Sequence, residues 1–422
     1  MIKSVDKLKK LLTILILLVF SQQSFSQAIT LEESIELARQ NYPGIQQKGL
    51  IQKSVNYSLE NASKAFLPQL AFNGQATYQS EVTRIPIALP GVKEMSKDQY
   101  RLQGELTQLL YDGGVIKNQK NLLKANEAVQ LQNVEISLNT LKERIAQLYF
   151  SILLFDAQLK QRSLYRENLV SALKKAEENV KEGTATKSSV NELKAEIINA
   201  DMTDTEIRFD YKAYKEMLGL IIGKPLGDHT EILMPQQVPI ISGIKRPELK
   251  LFELQKKSID VQAKKLQSDW MPRVSAFIQG GYGRPGLNML DPDFTPFAIG
   301  GIRFNFPLSN LYNYKTNMTI MEINRRQIDV DRQTFILNTN ASLQKEKSDI
   351  LKYLELMQQD DELIALREEI TRSAQAQLNN GVITTNEYIN KLNTENLARQ
   401  MKNLHRIQLL KAQTTYKIIA GY

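Results

Sequence analysis

The sequence has 422 residues, no cysteine and a formal net charge of +8 at pH 7. The lack of cysteine excludes disulfides, thiol catalysis and cysteine-ligated metals, and we expect no N-terminal lipid anchor, which would need a cysteine. The positive charge is mild for a chain of this length, so the composition gives no indication of a nucleic-acid partner.

Residues 1–26 have the composition of a secretory signal peptide. Four lysines come first, a mainly apolar run over 11–20 follows, and Ser24 and Ser26 stand at the −3 and −1 positions of a cleavage before Gln27. The apolar run is shorter than the roughly 20 residues of a membrane-spanning helix, which favours a signal peptide over an anchor. Removing this segment takes away four lysines and one aspartate, so the formal charge falls from +8 to +5.

Landmarks in the first half of the chain recur in the second half. The matching segments are 66–70 with 270–274, 109–112 with 307–310, and Gly183 with Gly381. The first pair shares the pattern aromatic, apolar, proline, polar, apolar, and the last two pairs are both offset by 198 positions. The sequence therefore predicts two structural repeats, 27–240 and 241–422, joined by a segment rich in proline and glycine.

Each predicted repeat contains a very long helix. Residues 115–182 and 308–380 contain no glycine and no proline, and apolar residues recur in them at helical spacing. The predicted helices are 114–182, 185–220, 247–269, 310–380 and 384–419, with an earlier helix that begins after Thr30, is broken at Pro43 and continues to Ala65. Gly183 and Gly381 then become the turns of two helical hairpins, which we expect to pack as coiled coils.

Four segments alternate between apolar and polar residues, namely 69–80, 98–109, 272–283 and 296–307. Their length of about ten residues is typical of membrane β-strands. Aromatic residues at the strand ends indicate membrane-interface girdles; they are Phe66 and Trp270 at one end, and Tyr78, Tyr100 and Tyr282 at the other. A soluble sheet with one wet face is the alternative that the alternation alone leaves open.

A four-stranded sheet has two open edges, and an open edge is not tolerated in lipid because its backbone groups lack partners. The smallest membrane barrels have about eight strands. The chain is therefore expected to oligomerise to close a barrel, although strand counting does not give the number of copies.

Several motifs, in this order, resemble the TolC-like outer-membrane efflux protein family. They are residues 29–38 with Asn41-Tyr42-Pro43, residues 66–70, Leu110-Tyr111-Asp112-Gly113-Gly114, and the tips 183–186 and 381–384. The resemblance implies a mainly α-helical subunit that contributes four transmembrane strands to a twelve-stranded barrel of a homotrimer. It also implies a periplasmic α-barrel of helical hairpins, an outer-membrane location surrounded by lipid, and docking onto a periplasmic adaptor (membrane fusion) protein. The adaptor couples the channel to an inner-membrane pump of the RND or ABC type.

The resemblance also assigns sites. The periplasmic entrance falls on Glu387, Asn390 and Ser189, where Glu387 alone keeps the acidic character of the family. The adaptor-contact tips fall on Gly183, Thr184, Ala185, Thr186, Gly381, Val382, Ile383 and Thr384. The family's arginine two positions after the second glycine is Ile383 here, so the ion-pair latch of some members is not expected at this position.

We predict no enzyme, cofactor or metal site. The chain has two histidines, His229 and His405, without metal-spaced partners, and the glycines at 280–283 lie in a strand instead of opening a helix. A structural or adhesive coiled-coil protein remains a rival class. Within the channel reading, the alternative to an efflux duct is the outer-membrane conduit of a type I protein secretion system, and the cargo is left open.

Overall fold

The computed structural model describes residues 28–83, 95–183, 186–227 and 230–422. The predicted signal peptide, His229 and the tip residues Thr184 and Ala185 lie outside the described residues. The helices are α1 (Leu31–Asn41), α2 (Gln46–Lys64), α3 (Val115–Lys181), α4 (Lys187–Ile222), α5 (Pro247–Ser268), α6 (Leu311–Asn379) and α7 (Thr385–Ala420). The strands are β1 (Gln69–Tyr78), β2 (Asp98–Tyr111), β3 (Arg273–Arg284) and β4 (Thr295–Asn305).

The two long helices follow from their uninterrupted sequences. Helix α3 has 67 residues and α6 has 69, and each begins and ends within about one residue of the limits predicted from glycine and proline. A short 3-10 turn at Pro43–Ile45 separates α1 from α2, as proline at this position requires. No helix among the described residues has the combination of length and apolarity needed to cross a membrane.

Strand β2 is longer than its alternation pattern indicates. It continues to Tyr111, where that residue pairs with Val274 beyond a register irregularity that follows Leu109. An irregularity of this kind reverses the inward and outward alternation, so the last residues of the strand cannot be recognised from a period of two. Strand β1 ends at Tyr78, two residues before its predicted limit.

The described residues form two compact units. One unit contains residues 28–45, 136–246 and 336–422, and the other contains 46–135 and 247–335. Each unit draws segments from both predicted repeats because α3 and α6 contribute residues to both units. The sequence repeats and the compact units are therefore different divisions of the chain.

The unit of residues 46–135 and 247–335 holds the antiparallel sheet, with strand order β1-β2-β3-β4. The junction from β2 to α3 depends on Asp112, whose carboxylate accepts the backbone N–H groups of Gly114 at 2.9 Å and Ile116 at 2.6 Å. Gly113 and Gly114 have φ of +69° and +86°. This geometry explains the Asp-Gly-Gly motif, because left-handed backbone favours glycine and the free N–H groups of a helix start need an acceptor.

The other unit is tied together by a buried tyrosine. The Tyr149 hydroxyl donates to the carbonyl oxygens of Ile29 at 2.8 Å and Leu233 at 2.6 Å. Ile29 also forms a parallel β-bridge with Ile232. One side chain of α3 thereby fixes both the first described residues and the segment after α4.

We predict that Tyr149→Phe destabilises this unit by about 1–3 kcal/mol, since the carbonyl oxygens of Ile29 and Leu233 lose the hydroxyl donor that they share. The matched control is Tyr57→Phe, whose ring is 69% exposed and whose substitution is expected to change stability by less than about 0.5 kcal/mol. Urea unfolding followed by circular dichroism measures both. Equal stability of the two variants would contradict the role given to Tyr149.

Candidate functional site

The two hairpin tips end their first helices in the same way. Gly183 and Gly381 have φ of +77° and +70°, and a Cβ added at either would meet nothing within 4 Å. Glycine is therefore needed here for its backbone conformation and not for lack of space. After α6, the Gly381 N–H donates to the Leu378 carbonyl at 3.1 Å and the Val382 N–H donates to the Gln377 carbonyl at 2.9 Å, which is a Schellman motif.

The second helix of each hairpin begins with a threonine cap. The Thr186 hydroxyl accepts the Ser189 N–H at 3.3 Å, and the Thr384 hydroxyl accepts the Glu387 N–H at 3.2 Å. Ser189 and Glu387, the residues six positions after each glycine, are therefore both the third residue of a helix. The family resemblance assigns the entrance residues to the position six residues after each glycine. In the structure, this position is the third residue of a helix, whose N–H group binds the threonine cap.

Glu387 completes a capping box. Its Oε2 atom accepts the Thr384 N–H at 2.8 Å and the Thr384 hydroxyl at 3.1 Å. These hydrogen bonds, with help from the positive charge of Lys391, hold the pKa of the Glu387 carboxyl below its ordinary value. Because folding lowers this pKa, the charge is present and stabilising at neutral pH and is lost only as the pH falls through the lowered value.

A groove between the two tips, here called the tip groove, encloses about 780 Å³. It is lined by predicted adaptor-contact residues of both hairpins, including Thr186, Gly381, Ile383 and Thr384, and also by Ser189. The structure thus brings together residues that lie about 200 positions apart in the sequence.

A second groove of about 500 Å³ runs along α6 and α7 and is here called the hairpin groove. Glu387 and Asn390 line it together with Glu369 and Lys391. Within one chain, the three predicted entrance residues are therefore divided between two grooves. Glu387 and Asn390 line the hairpin groove, and Ser189 lines the tip groove. Glu369, an exposed residue of α6, was not predicted because it belongs to no sequence motif.

A buried cluster holds the two hairpins beside each other and gives both grooves rigid walls. Its members are Tyr165, Leu169, Ala172, Ala176, Leu193, Ala200, Ala374, Tyr388, Ile389 and Leu392. The Tyr165 hydroxyl donates to Glu196 Oε1 at 2.7 Å on its own hairpin and bonds Asn393 of the other hairpin. Burial raises the pKa of Tyr388 to about 12, so its hydroxyl is neutral in the physiological range.

Ion pairs near the buried cluster link the two helices of each hairpin. Arg166 pairs with Asp201 at 2.6 Å between α3 and α4, and Arg399 pairs with Glu368 between α6 and α7. Ile383 packs against the buried cluster. The position at which the family resemblance would place an arginine is therefore occupied by a side chain that contributes to packing.

The sheet has one strongly apolar face that is open to solvent in the single chain. Phe72 is 75% exposed and Ile302 is 73% exposed. Further exposed members of this face are Leu70, Tyr78, Tyr100, Leu102, Leu106, Ile278, Tyr282, Phe304 and Phe306. Contiguous exposed apolar surface of this extent indicates a membrane or protein interface.

The opposite face of the sheet carries a polar network across three strands. Glu105 accepts hydrogen bonds from Gln279 at 2.6 Å and from Arg303 at 2.9 Å. The Arg303 guanidinium also lies over the Phe277 ring, 4.6 Å from its centroid. The alternation predicted a polar face, but the pairing of these particular residues follows only from the strand register.

The predicted interface aromatics lie at the two ends of the sheet. At the loop end, Tyr100 and Tyr282 both stack on Phe294, with centroid distances of 6.1 and 5.7 Å. At the helix end, Trp270 lies 6.4 Å from both Phe306 and Tyr314. Phe66 and Tyr78 are exposed. Phe294 was missed because it lies in a loop without any alternating pattern.

Comparison with known proteins identifies the family. Residues 34–224 match the family model described as outer membrane efflux protein. Over this segment the chain is similar to the outer membrane efflux protein family. The resemblance stated from the motifs is thereby confirmed, and the family is one of efflux proteins and not of enzymes. No curated protein matches the chain in sequence.

Solved structures cover nearly the whole chain. CusC, described in terms of transmembrane channel formation, matches with a TM-score of 0.68 and 15% identity, over 93% of this chain and 92% of that one. The Campylobacter jejuni CmeC outer membrane channel matches with a TM-score of 0.65 and 13% identity, over 93% and 86%. The outer membrane protein VceC of Vibrio cholerae matches with a TM-score of 0.60 and 14% identity, over 91% and 95%. These likenesses show the fold, and the predicted mainly α-helical subunit with four strands is confirmed.

We predict that Glu387→Gln and Glu387→Ala separate the capping role of Glu387 from an entrance role. Glutamine keeps an acceptor for the Thr384 N–H but removes the charge. Block of single-channel conductance by divalent cations is expected to weaken several-fold in both variants, whereas hydrogen exchange in the first turn of α7 is expected to accelerate only in Glu387→Ala. Unchanged cation block in both variants would remove Glu387 from the entrance.

Proposed function

We propose that this chain is an outer-membrane channel, the passive exit duct of a tripartite efflux system driven by an inner-membrane pump through a periplasmic adaptor. The observation that carries the proposal is the exposed apolar face of a sheet in which the outer sides of the two edge strands, β1 and β4, pair with no other strand of the described residues. The similarity of residues 34–224 to the outer membrane efflux protein family supports it.

The dimensions of the sheet suit a bilayer. Strand β1 has 10 residues, which at about 3.3 Å per residue span roughly 33 Å along the strand. A tilt of about 40° reduces this to roughly 25 Å, the height of the apolar band of outer-membrane barrels. Aromatic residues at both ends of the sheet would then lie at the two membrane interfaces, with outer-membrane lipid against the apolar face.

Closing the sheet into a barrel requires several copies of the chain. Because the four strands alternate in direction, β4 of one copy can pair in antiparallel fashion with β1 of the next copy. Family resemblance gives three copies and a twelve-stranded barrel, with the polar face that carries Glu105 and Arg303 lining a water-filled lumen. The helical hairpins would form the periplasmic part of the duct, and no cofactor is needed.

The tips supply the proposed docking and entrance sites. Val382 is 70% exposed at the apex of the second hairpin, and with Ile383 it offers apolar surface beside the tip groove. We assign the adaptor contact to this groove and the periplasmic entrance to Glu387 and Asn390, with Ser189 on the neighbouring wall. The energy for transport lies in the pump, of the RND or ABC type.

The lipid contact is tested by two neighbouring residues of β2. Leu102→Arg places a charge on the apolar face and is expected to destabilise the protein in phospholipid vesicles by about 2–4 kcal/mol, whereas Gln103→Arg, on the polar face, is expected to cost less than about 1 kcal/mol. Urea unfolding from vesicles measures both variants. A soluble sheet would tolerate Leu102→Arg as well as Gln103→Arg, and that outcome would refute the membrane assignment.

The tip assignment is tested at Val382. Val382→Asp is expected to abolish efflux in cells that co-express the cognate adaptor and pump, while the purified variant keeps its conductance in planar bilayers. Val382→Thr, which has nearly the same shape and no charge, is the control and is expected to retain efflux. Normal efflux by Val382→Asp would place the adaptor contact elsewhere.

Secretion of a protein, in place of small-molecule efflux, would identify the duct as a type I secretion conduit.

A further inference from the structure

The two repeats share one strand register. Residues of β1 and β3 correspond at the offset of the landmarks 66–70 and 270–274, and residues of β2 and β4 correspond at the offset of 198. Gln69 faces Thr107 in the β1–β2 pair, and their counterparts Arg273 and Asn305 face each other in the β3–β4 pair. The hydrogen-bonded register therefore obeys the internal repeat.

The remaining pair, β2 with β3, has no counterpart among the four strands that the structure describes. In it Glu105 faces Gln279, and the same offsets turn these residues into Arg303 of β4 and Gln75 of β1. Strands β1 and β4 are the two edges of the sheet. The counterpart of the β2–β3 pair can therefore form only between β4 of one chain and β1 of another.

We propose that β4 of one copy pairs with β1 of a second copy in the register in which Arg303 faces Gln75 and Asn305 faces Asn73. This inference rests on the proposed function, which requires an oligomer, and adds the surface and the alignment by which the copies meet. In the same register Phe304 faces Gly74, and Tyr78 faces Gly300.

The apolar face supports this alignment through its glycines. Within the chain, Gly104 faces Phe72, and a Cβ at Gly104 would lie 3.1 Å from the Phe72 ring. On the polar face, Gly301 likewise faces Phe277, at 3.2 Å. An aromatic ring that covers a glycine across the strand compensates for the missing side chain.

Two glycines that the edge strands place on the apolar face, Gly74 and Gly300, lack such a cover in the single chain. A Cβ at Gly74 would meet nothing closer than 3.7 Å, and one at Gly300 nothing closer than 3.8 Å. The proposed register places an aromatic ring opposite both of them. Shifting it by two residues in either direction places Ala76 or Ser80 opposite Gly300, so only the proposed register covers both glycines.

The polar face supports the same alignment. The Arg303 side chain is 47% exposed while it bonds Glu105, and a guanidinium has five donors. The amide oxygen of Gln75 from the second copy would accept from it, as Glu105 accepts from Gln279 within the chain. The network would then continue across the boundary between copies and close into a belt around the lumen.

The test uses the cysteine-free sequence, in which introduced cysteines have no competitors. Asn305→Cys is combined in turn with Asn73→Cys, Ala71→Cys or Gln75→Cys, all on the same face of β1. Residues directly opposite have Cβ atoms about 4.5–5.5 Å apart, and diagonal neighbours about 7–8 Å apart. After copper–phenanthroline oxidation in membranes, the Asn73 pair is expected to give at least about tenfold more covalent dimer and trimer than either control pair.

A second pair of introduced cysteines tests the same register at another place, in case local geometry prevents the first pair from forming a disulfide. Ala76→Cys with Ile302→Cys has the same register on the apolar face and is expected to cross-link as well. Light scattering of the unoxidised variants in detergent reports the oligomer separately. An intact oligomer that cross-links through Ala71 or Gln75, or through neither proposed pair, would overturn the register while leaving the channel in place. A monomer would overturn both proposals.

Discussion

The structure depends on one constraint, which is that every backbone N–H and C=O group of a strand in lipid needs a partner. Four strands satisfy this among themselves only on the inner sides of β1 and β4. The apolar face of the same sheet is exposed along all four strands, with Phe72 and Ile302 each about three-quarters exposed. In a single chain, the outer sides of β1 and β4 thus lack hydrogen-bond partners among the described strands, and the apolar face is exposed. The edges gain partners and the apolar face contacts lipid if copies close a barrel in a membrane.

The helical unit solves a different problem, which is to keep long helices in fixed alignment. Left-handed glycines at Gly183 and Gly381 reverse the chain, and threonine caps start the returning helices. The buried cluster around Tyr165 and Tyr388 then holds the hairpins beside each other. Because Glu387 belongs to this capping machinery, its charge is fixed in position and kept ionised by the structure that would present it to a passing ion.

The predicted internal repeat relates the first two strands of the sheet to the last two. The predicted repeat of a helix–strand–strand–helix–helix unit would account for the recurrence of equivalent residues, and the register of the sheet agrees with that equivalence. Glu105 and Arg303 are equivalent positions that carry opposite charges, and they bond each other. Two repeats with the same residue at this position could not form such an ion pair.

The elements could be predicted from sequence patterns alone: the helices from their lack of glycine and proline, the strands from their alternation, and the hairpin turns from Gly183 and Gly381. These features are local, and local patterns are what a sequence displays directly. Three features could not be predicted in this way: β2 continues to Tyr111, Phe294 stacks with Tyr100 and Tyr282, and Glu105 accepts hydrogen bonds from Gln279 and Arg303. The reason is that these contacts join residues on separate strands and loops, and their alignment is set by strand register, which periodicity alone does not encode.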